Sequence, residues 1–253
     1  MVDLVNELEG QVAIVTGSAR NIGRATAMEL AHAGASLVIN SRESKELCEE
    51  VAHAIVSTGG RAIPIVADIT DRDAVDRMVD EAVKAFGGVD ILVNNAAVRA
   101  NVGFVDLEEE TWQRSINTSV NGAFNTCKAC VPHMINRGGG AVISVAGMAS
   151  HQGVPRRVHV MASKDGLIGL TRGLAIDLGP KNIRSNVVVV GVFDTERGAN
   201  APVSGHGPDV SIPMGRKGVP QDMADLVRFL AGPGAAYISG QTIHCNGAAY
   251  CPH

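Results

Sequence analysis

HVMASKDG (159–166) places Lys164 one turn into a helical pattern, with Arg156 and Arg157 just ahead of it. Arg157 stands seven residues before Lys164 and Val160 four before it, so the three share one helical stripe. A guanidinium on that stripe has two uses: it can clamp an acidic ligand, or it can plug the site by pairing with a local carboxylate. A second stretch, TGSARNIG (16–23), follows an apolar run and opens a helical one. Gly17 and Gly23 hold the outer positions of a turn whose backbone N–H groups can approach a pyrophosphate at a helix N-terminus. Asn21 stands where a middle glycine is common, and asparagine tolerates positive φ better than most side chains. His151 lies in a loop after a strand, where an imidazole could donate a proton into a cleft. The five cysteines offer less. Cys127 and Cys130 spell CxxC inside a helical segment with no second pair, which reads as helix packing. His244, Cys245, Cys251 and His253 lack the spacing of a zinc site, so no metal is expected.

The elements that must position these groups alternate along the chain. Strand patterns at VAIVT (12–16), SLVIN (36–40), AIPIVAD (62–68), VDILVNNA (89–96), AVISVAG (141–147), NVVVV (186–190) and TIHC (242–245) are separated by helical patterns. The helices fall near 21–33, 43–57, 72–86, 109–136, 155–178 and 220–231. Alternation with near-continuous apolar strands predicts an α/β fold with a doubly wound parallel sheet, covered by helices on both faces. Such sheets bind ligands beyond the carboxyl ends of their strands, where the glycine turn lies. The 253 residues are 45% hydrophobic and 19% charged, enough for one large core. A net charge of −4 gives no reason to expect nucleic acid as a partner. No apolar run approaches the roughly 18 residues of a membrane span. The acidic opening MVDLVNELEG lacks a signal-peptide pattern, so a cytoplasmic protein with free thiols is expected.

TGSARNIG, NNAA (94–97), Lys164, SGQ (239–241) and NG (246–247) together resemble the short-chain dehydrogenase/reductase family, and the resemblance runs along essentially the whole chain. It is nearest to the family's ketoacyl-thioester reductases and hydroxyacyl dehydrogenases. It implies a single Rossmann-type domain over 1–253, a sheet of about seven strands, and usually a tetramer. Carried over by position, Gly17, Arg20, Asn21, Ile22 and Gly23 would form the phosphate turn. Asp68 and Ile69 would meet the adenine, Asn94 and Ala96 would lie along the cofactor, Lys164 would meet the nicotinamide ribose and Thr195 the nicotinamide amide. Members that use NAD place an acid at the position of Ser41. Its absence here, with Arg42 next and Arg20 nearby, would suit a 2′-phosphate, hence NADP(H) if any cofactor binds; the site could also stand empty.

The resemblance also shows what is missing. Active members use a serine, a tyrosine, a lysine and an asparagine. Those positions hold Gly147, Val160, Lys164 and Ser119, so the lysine alone remains. The two tyrosines, Tyr237 and Tyr250, are far from Lys164 in sequence. Replacement donors are few: His151, and Asn121 if the 109–136 helix bends as it often does in the family. His159 is expected at a surface or interface. Ser144 and Ser150, three residues either side of Gly147, should satisfy backbone groups. Two readings follow. One is a degenerate subunit, structural or regulatory, in a tetramer of its own kind or with an active relative; hetero-oligomers of one inactive and one active subunit occur in the family. The other is an NADP(H)-dependent reductase of an activated C=C or C=N bond with a different proton donor. The segment 194–218 corresponds to the substrate lid and carries no aromatic residue.

Overall fold

The structure, a computed structural model, describes residues 6–98, 100–195 and 211–251. Seven strands form one parallel sheet: β1 Val12–Val15, β2 Ser36–Ser41, β3 Arg61–Val66, β4 Ile91–Asn94, β5 Gly140–Gly147, β6 Ile183–Val190 and β7 Thr242–Cys245, in the order β3-β2-β1-β4-β5-β6-β7. The chain winds outward from β1 to β2 and β3, then crosses back to β4 and winds the other way. Val15 pairs with Ile39 of β2 and with Val93 of β4, which levels the carboxyl ends at the point of reversal.

Successive side chains of the central strands go to opposite faces, and both faces are buried. Ala13 and Val15 pack with Leu37 and Val93 on one side, and Ile14 packs with Val38 and Leu92 on the other. This double burial is why the strands read as unbroken apolar runs. The first face is covered by α1 (Asn21–His32), α2 (Lys45–Ser57) and α8 (Pro220–Ala231). The second is covered by α3 (Arg72–Phe86), α5 (Gly122–Asn136) and the far end of α7 (Val158–Leu178). Cys127 and Cys130 are core residues of this second layer. Burial pushes the Cys127 thiol up to about 12 and that of Cys130 well above its usual value, so both stay neutral packing groups.

The elements depart from the sequence pattern at three places that matter for the site. β4 ends at Asn94 because Asn95 turns out of the sheet, its N–H reaching the Thr16 hydroxyl at 3.0 Å. The expected 109–136 helix is α4 (Glu109–Ile116), a π-helical turn over Asn117–Asn121, and α5. That wide turn re-phases the column: Ser119 is buried, while Asn121 is exposed and donates to Asn117 Oδ1 at 2.6 Å. Helix α7 starts only at Val158, preceded by a short helix α6 (Ala149–Gln152) and a turn in which Arg156 takes a φ of 62°. Most of the expected lid, 196–210, lies outside the described residues. Its flanks meet, with Asp194 N–H donating to Gly218 O at 2.8 Å and Gly218 N–H to Val192 O at 3.0 Å.

Candidate active site

A cleft of ≈ 590 Å³ opens at the carboxyl ends of the strands, a normal size for a small-molecule site. Its floor is the turn after β1. Gly17 has a φ of 64° and Asn21 one of 50°, so the asparagine adopts the left-handed backbone that a glycine would otherwise supply. Two asparagine side chains, one just after β4 and one near the end of β2, lock this turn. Asn95 Nδ2 donates to Thr16 O at 2.9 Å and to Gly17 O at 3.1 Å, while Thr16 Oγ1 accepts from the N–H groups of Asn95 and Ala96 at 3.0 and 3.1 Å. Asn40, at the end of β2, donates to Ile65 O and Ala67 O at 3.2 and 3.1 Å and accepts from Gly17 N–H at 3.4 Å. A Cβ on Gly17 would stand 3.1 Å from Ala96 Cα; one on Gly23 would collide with Gly17 O and stand 2.6 Å from Asn95 Nδ2. Gly17 and the first residues of α1, Asn21, Ile22 and Gly23, line the cleft together, and this cradle fits a pyrophosphate.

One end of the cleft is polar and carries both signs of charge. Arg20, Ser41, Arg42, Glu43, Asp68 and Ile69 line it. Ser41 Oγ accepts from Ser44 N–H at 2.9 Å, and Asp68 Oδ1 accepts from the N–H and hydroxyl of Thr70 at 2.9 and 2.8 Å, which fixes the rim. Arg42 Nε pairs with Glu43 Oε1 at 2.7 Å, with both side chains more than half exposed, a pairing of little strength that a phosphate could replace.

The other end is made by β5, α6 and α7 and is mostly apolar. Gly147, Met148, Val160, Met161, Val192 and Phe193 line it, with Thr118, Ser150, Arg157, Lys164 and Thr195 as its polar groups. Lys164 is 8% exposed and donates from Nζ to Val145 O at 2.7 Å, which ties α7 to β5 beneath the cleft. A Cβ on Gly147 would meet nothing within 4 Å, so the wall is open there. The hydroxyls beside the two substituted positions donate to backbone: Ser150 Oγ to Gly147 O at 2.9 Å and Ser163 Oγ to Val160 O at 2.8 Å.

Several expected site residues lie elsewhere. Asn94 is buried below the cleft, accepting from Thr126 Oγ1 at 2.7 Å; its neighbour Asn95 takes the place along the wall. Asn121 is on the outside of the π turn, and Ser119 is buried off the cleft, so Thr118 is the residue of that turn that reaches the lining. His151 turns away from the cleft to stack with His244, ring centroids 4.7 Å apart, and with Tyr250 at 5.9 Å. His159, expected at a surface or interface, is fully buried. Burial and then the positive charge of Arg157 hold its pKa below the usual imidazole range, with Arg114 adding to this and the Ala100 carbonyl opposing. The sequence reading missed Asn40, Asn95 and Thr118. A polar residue closing an apolar strand (Asn40) and the second asparagine of NNAA were the available signals; Thr118 had none. Among the described residues no group of three or more His, Cys, Asp or Glu side chains could hold a metal ion.

The chain matches the family described as enoyl-(acyl carrier protein) reductase over residues 17–248. The 3-oxoacyl-[acyl-carrier-protein] reductase FabG of Thermotoga maritima is 35% identical over 241 residues, 95% of this chain and 98% of that protein. FabG of Staphylococcus aureus is 36% identical over 239 residues, 94% of this chain and 97% of its own. Among solved structures, a 7α-hydroxysteroid dehydrogenase complexed with NADH and 7-oxo glycochenodeoxycholic acid superposes with a TM-score of 0.90 at 31% identity, covering 98% of both chains. A short-chain type dehydrogenase/reductase from Mycobacterium marinum superposes with a TM-score of 0.88 at 32% identity, covering 99% of this chain and 98% of its own. With its glycine turn, its sheet order and this likeness along nearly its full length, the chain belongs to the short-chain dehydrogenase/reductase family.

Proposed function

We propose that this chain is a catalytically degenerate member of its family, a structural or regulatory subunit that keeps the dinucleotide half of the cleft and lacks the carbonyl chemistry. One observation carries the reading: Gly147 and Val160 line the wall where the family's serine and tyrosine would stand, and Ser119 at the asparagine position is buried away from it. Hydride addition to a ketone makes an alkoxide that must be protonated as it forms. A positioned acid contributes about 10²–10⁴ in rate, and a hydrogen bond to the developing charge about 10²–10³. Glycine and valine supply neither.

The cofactor this cleft would take is NADP(H), which when bound supplies a hydride. Gly17, Asn21 and the start of α1 would hold the pyrophosphate. Arg20 and Arg42 would hold the 2′-phosphate, Asp68 and Ile69 would flank the adenine, and Lys164 and Thr195 would orient the nicotinamide end. Five free thiols support a cytoplasmic setting. Exposed Phe124 on α5 and Ile176 on α7 support assembly, which we read as a tetramer, homomeric or with an active relative.

A second reading has an observation of its own. The glycine turn keeps its left-handed backbone at Gly17 and Asn21, and Lys164 and Thr195 line the same cleft, features a purely structural subunit does not need. An NADP(H)-dependent reductase of an activated C=C or C=N bond could use this cleft, because a cationic iminium carbon accepts hydride without an acid on nitrogen. Purification from the native host separates the two. An intact relative co-purifying in fixed stoichiometry supports the subunit. A homo-oligomer that turns over NADPH with an enoyl thioester or a cyclic imine supports the reductase and overturns the first reading.

A further inference from the structure

Among the described residues four glycines line the cleft: Gly17, Gly23, Gly147 and Gly191. Three of them are imposed by the fold. Gly17 has a φ of 64°, and a Cβ there would stand 3.1 Å from Ala96 Cα. A Cβ on Gly23 would collide with Gly17 O, and one on Gly191 would stand 2.6 Å from both Cα and Cβ of Asn246. Gly147 differs in both respects. It closes β5 in register with Val190, it is not among the positive-φ residues, and a Cβ on it would meet nothing within 4 Å. Neither backbone conformation nor packing requires a glycine there, so the room it leaves is room in the cleft. The end of the cleft that gains this room is apolar, lined by Met148, Val160, Met161, Val192 and Phe193. Ser150 and Ser163 direct their single hydroxyl hydrogens to Gly147 O and Val160 O at 2.9 and 2.8 Å, so neither donates into it. The two methionines are unbranched and polarisable and adapt to an irregular apolar shape. A linear chain can pass along this wall without entering the room beside Gly147, whereas a ring or a branched carbon body fills it and gains the contacts.

We infer that Gly147 is a specificity-determining residue, which selects a ligand whose carbon body is cyclic or branched over one with a linear chain. The assignment rests on the reading of the cleft as a ligand site, and it names the class of molecule for either role, substrate or regulator. A side chain at 147 would fill the same room from the protein side, and each methyl-sized group added would displace about one methylene of ligand from apolar contact.

The test uses the full chain without cofactor and two neutral probes of equal carbon number, cyclohexanecarboxamide and heptanamide, titrated by ligand-observed NMR. The ring should bind at least about threefold tighter than the chain. Gly147→Val should weaken the ring about tenfold and the chain by less than about threefold, which removes the preference. Gly147→Ala should weaken the ring about threefold, and it carries the test if the valine variant does not fold. Equal affinities in the wild type, equal losses for both probes, a preference undiminished in the folded variants, or no binding of the ring at about 10 mM would overturn the inference. Neither amide accepts hydride from a nicotinamide, so binding is read apart from turnover. Reduction of a 3-ketoacyl thioester would overturn the degenerate-subunit reading and leave the ring preference standing; loss of the ring preference would leave that reading untouched.

Discussion

Gly23→Ala is the sharpest probe of how the turn after β1 is built. The new methyl would collide with Gly17 O and stand 2.6 Å from Asn95 Nδ2 and 2.9 Å from Ser18 Cα, two of the three being backbone atoms that cannot swing aside. Overpacking of this kind costs about 1–3 kcal/mol. If the strain is relieved by pushing Asn95 away, its bonds to Thr16 O and Gly17 O are lost instead, at about 0.5–1.5 kcal/mol each. Alanine in a helix regains only about 0.5–1 kcal/mol over glycine. The balance is a loss of about 1 kcal/mol. Because the strain falls on the Gly17 carbonyl, NADPH affinity should fall more than tenfold, about 1.4 kcal/mol or more. Gly147→Ala is the internal control, since its methyl meets nothing within 4 Å and should leave stability within about 0.5 kcal/mol. Urea denaturation and NADPH calorimetry of the two variants give both numbers. A Gly23→Ala protein as stable as the Gly147→Ala control, and binding NADPH as tightly, would refute this account of the turn.

Other consequences can be checked separately. His244 is held below the ordinary imidazole pKa of 6.5 by burial and then by His151, so the unfolded chain takes up protons the folded one refuses. Stability should be full above about pH 6.5 and decline as pH falls below it, and His244→Gln should flatten that decline in denaturation curves; an unchanged slope would count against the histidine pair. Arg42→Ala should weaken NADPH by about tenfold or more while barely changing NADH, and tighter NADH than NADPH in the wild type would remove the 2′-phosphate assignment. Sedimentation at micromolar concentration should show an oligomer, and a stable monomer would argue against assembly through α5 and α7. Arg157→Ala should narrow the difference between NADPH and NADP⁺, because two cations near one ring disfavour its oxidised, positive form.

The sheet and its helices were legible because burial on both faces writes itself into the sequence as continuous apolar runs. The TGSARNIG turn was legible because Gly23 has no room for a side chain. What escaped depends on contacts between distant segments. The π turn at Asn117–Asn121 shifts Thr118 into the cleft and Asn121 out of it, and no local pattern records one extra residue per turn. Asn94 and Asn95 are alike in type, and only the end of β4 against Thr16 decides which one leaves the sheet. His151 turns from the cleft because His244, 93 positions later in the chain, offers it an aromatic face. His159 looked like a surface or interface residue because the groups that act on it, the Ala100 carbonyl and Arg114, are distant in sequence.

The most direct test of the central claim is turnover of a 3-ketoacyl thioester by the purified chain under saturating NADPH, with NADPH binding measured on the same sample. NADPH should bind and its oxidation should stay at the background rate, because Gly147 and Val160 can donate nothing to the forming alkoxide. Turnover above about one per second, within the ordinary range for enzymes, would contradict it.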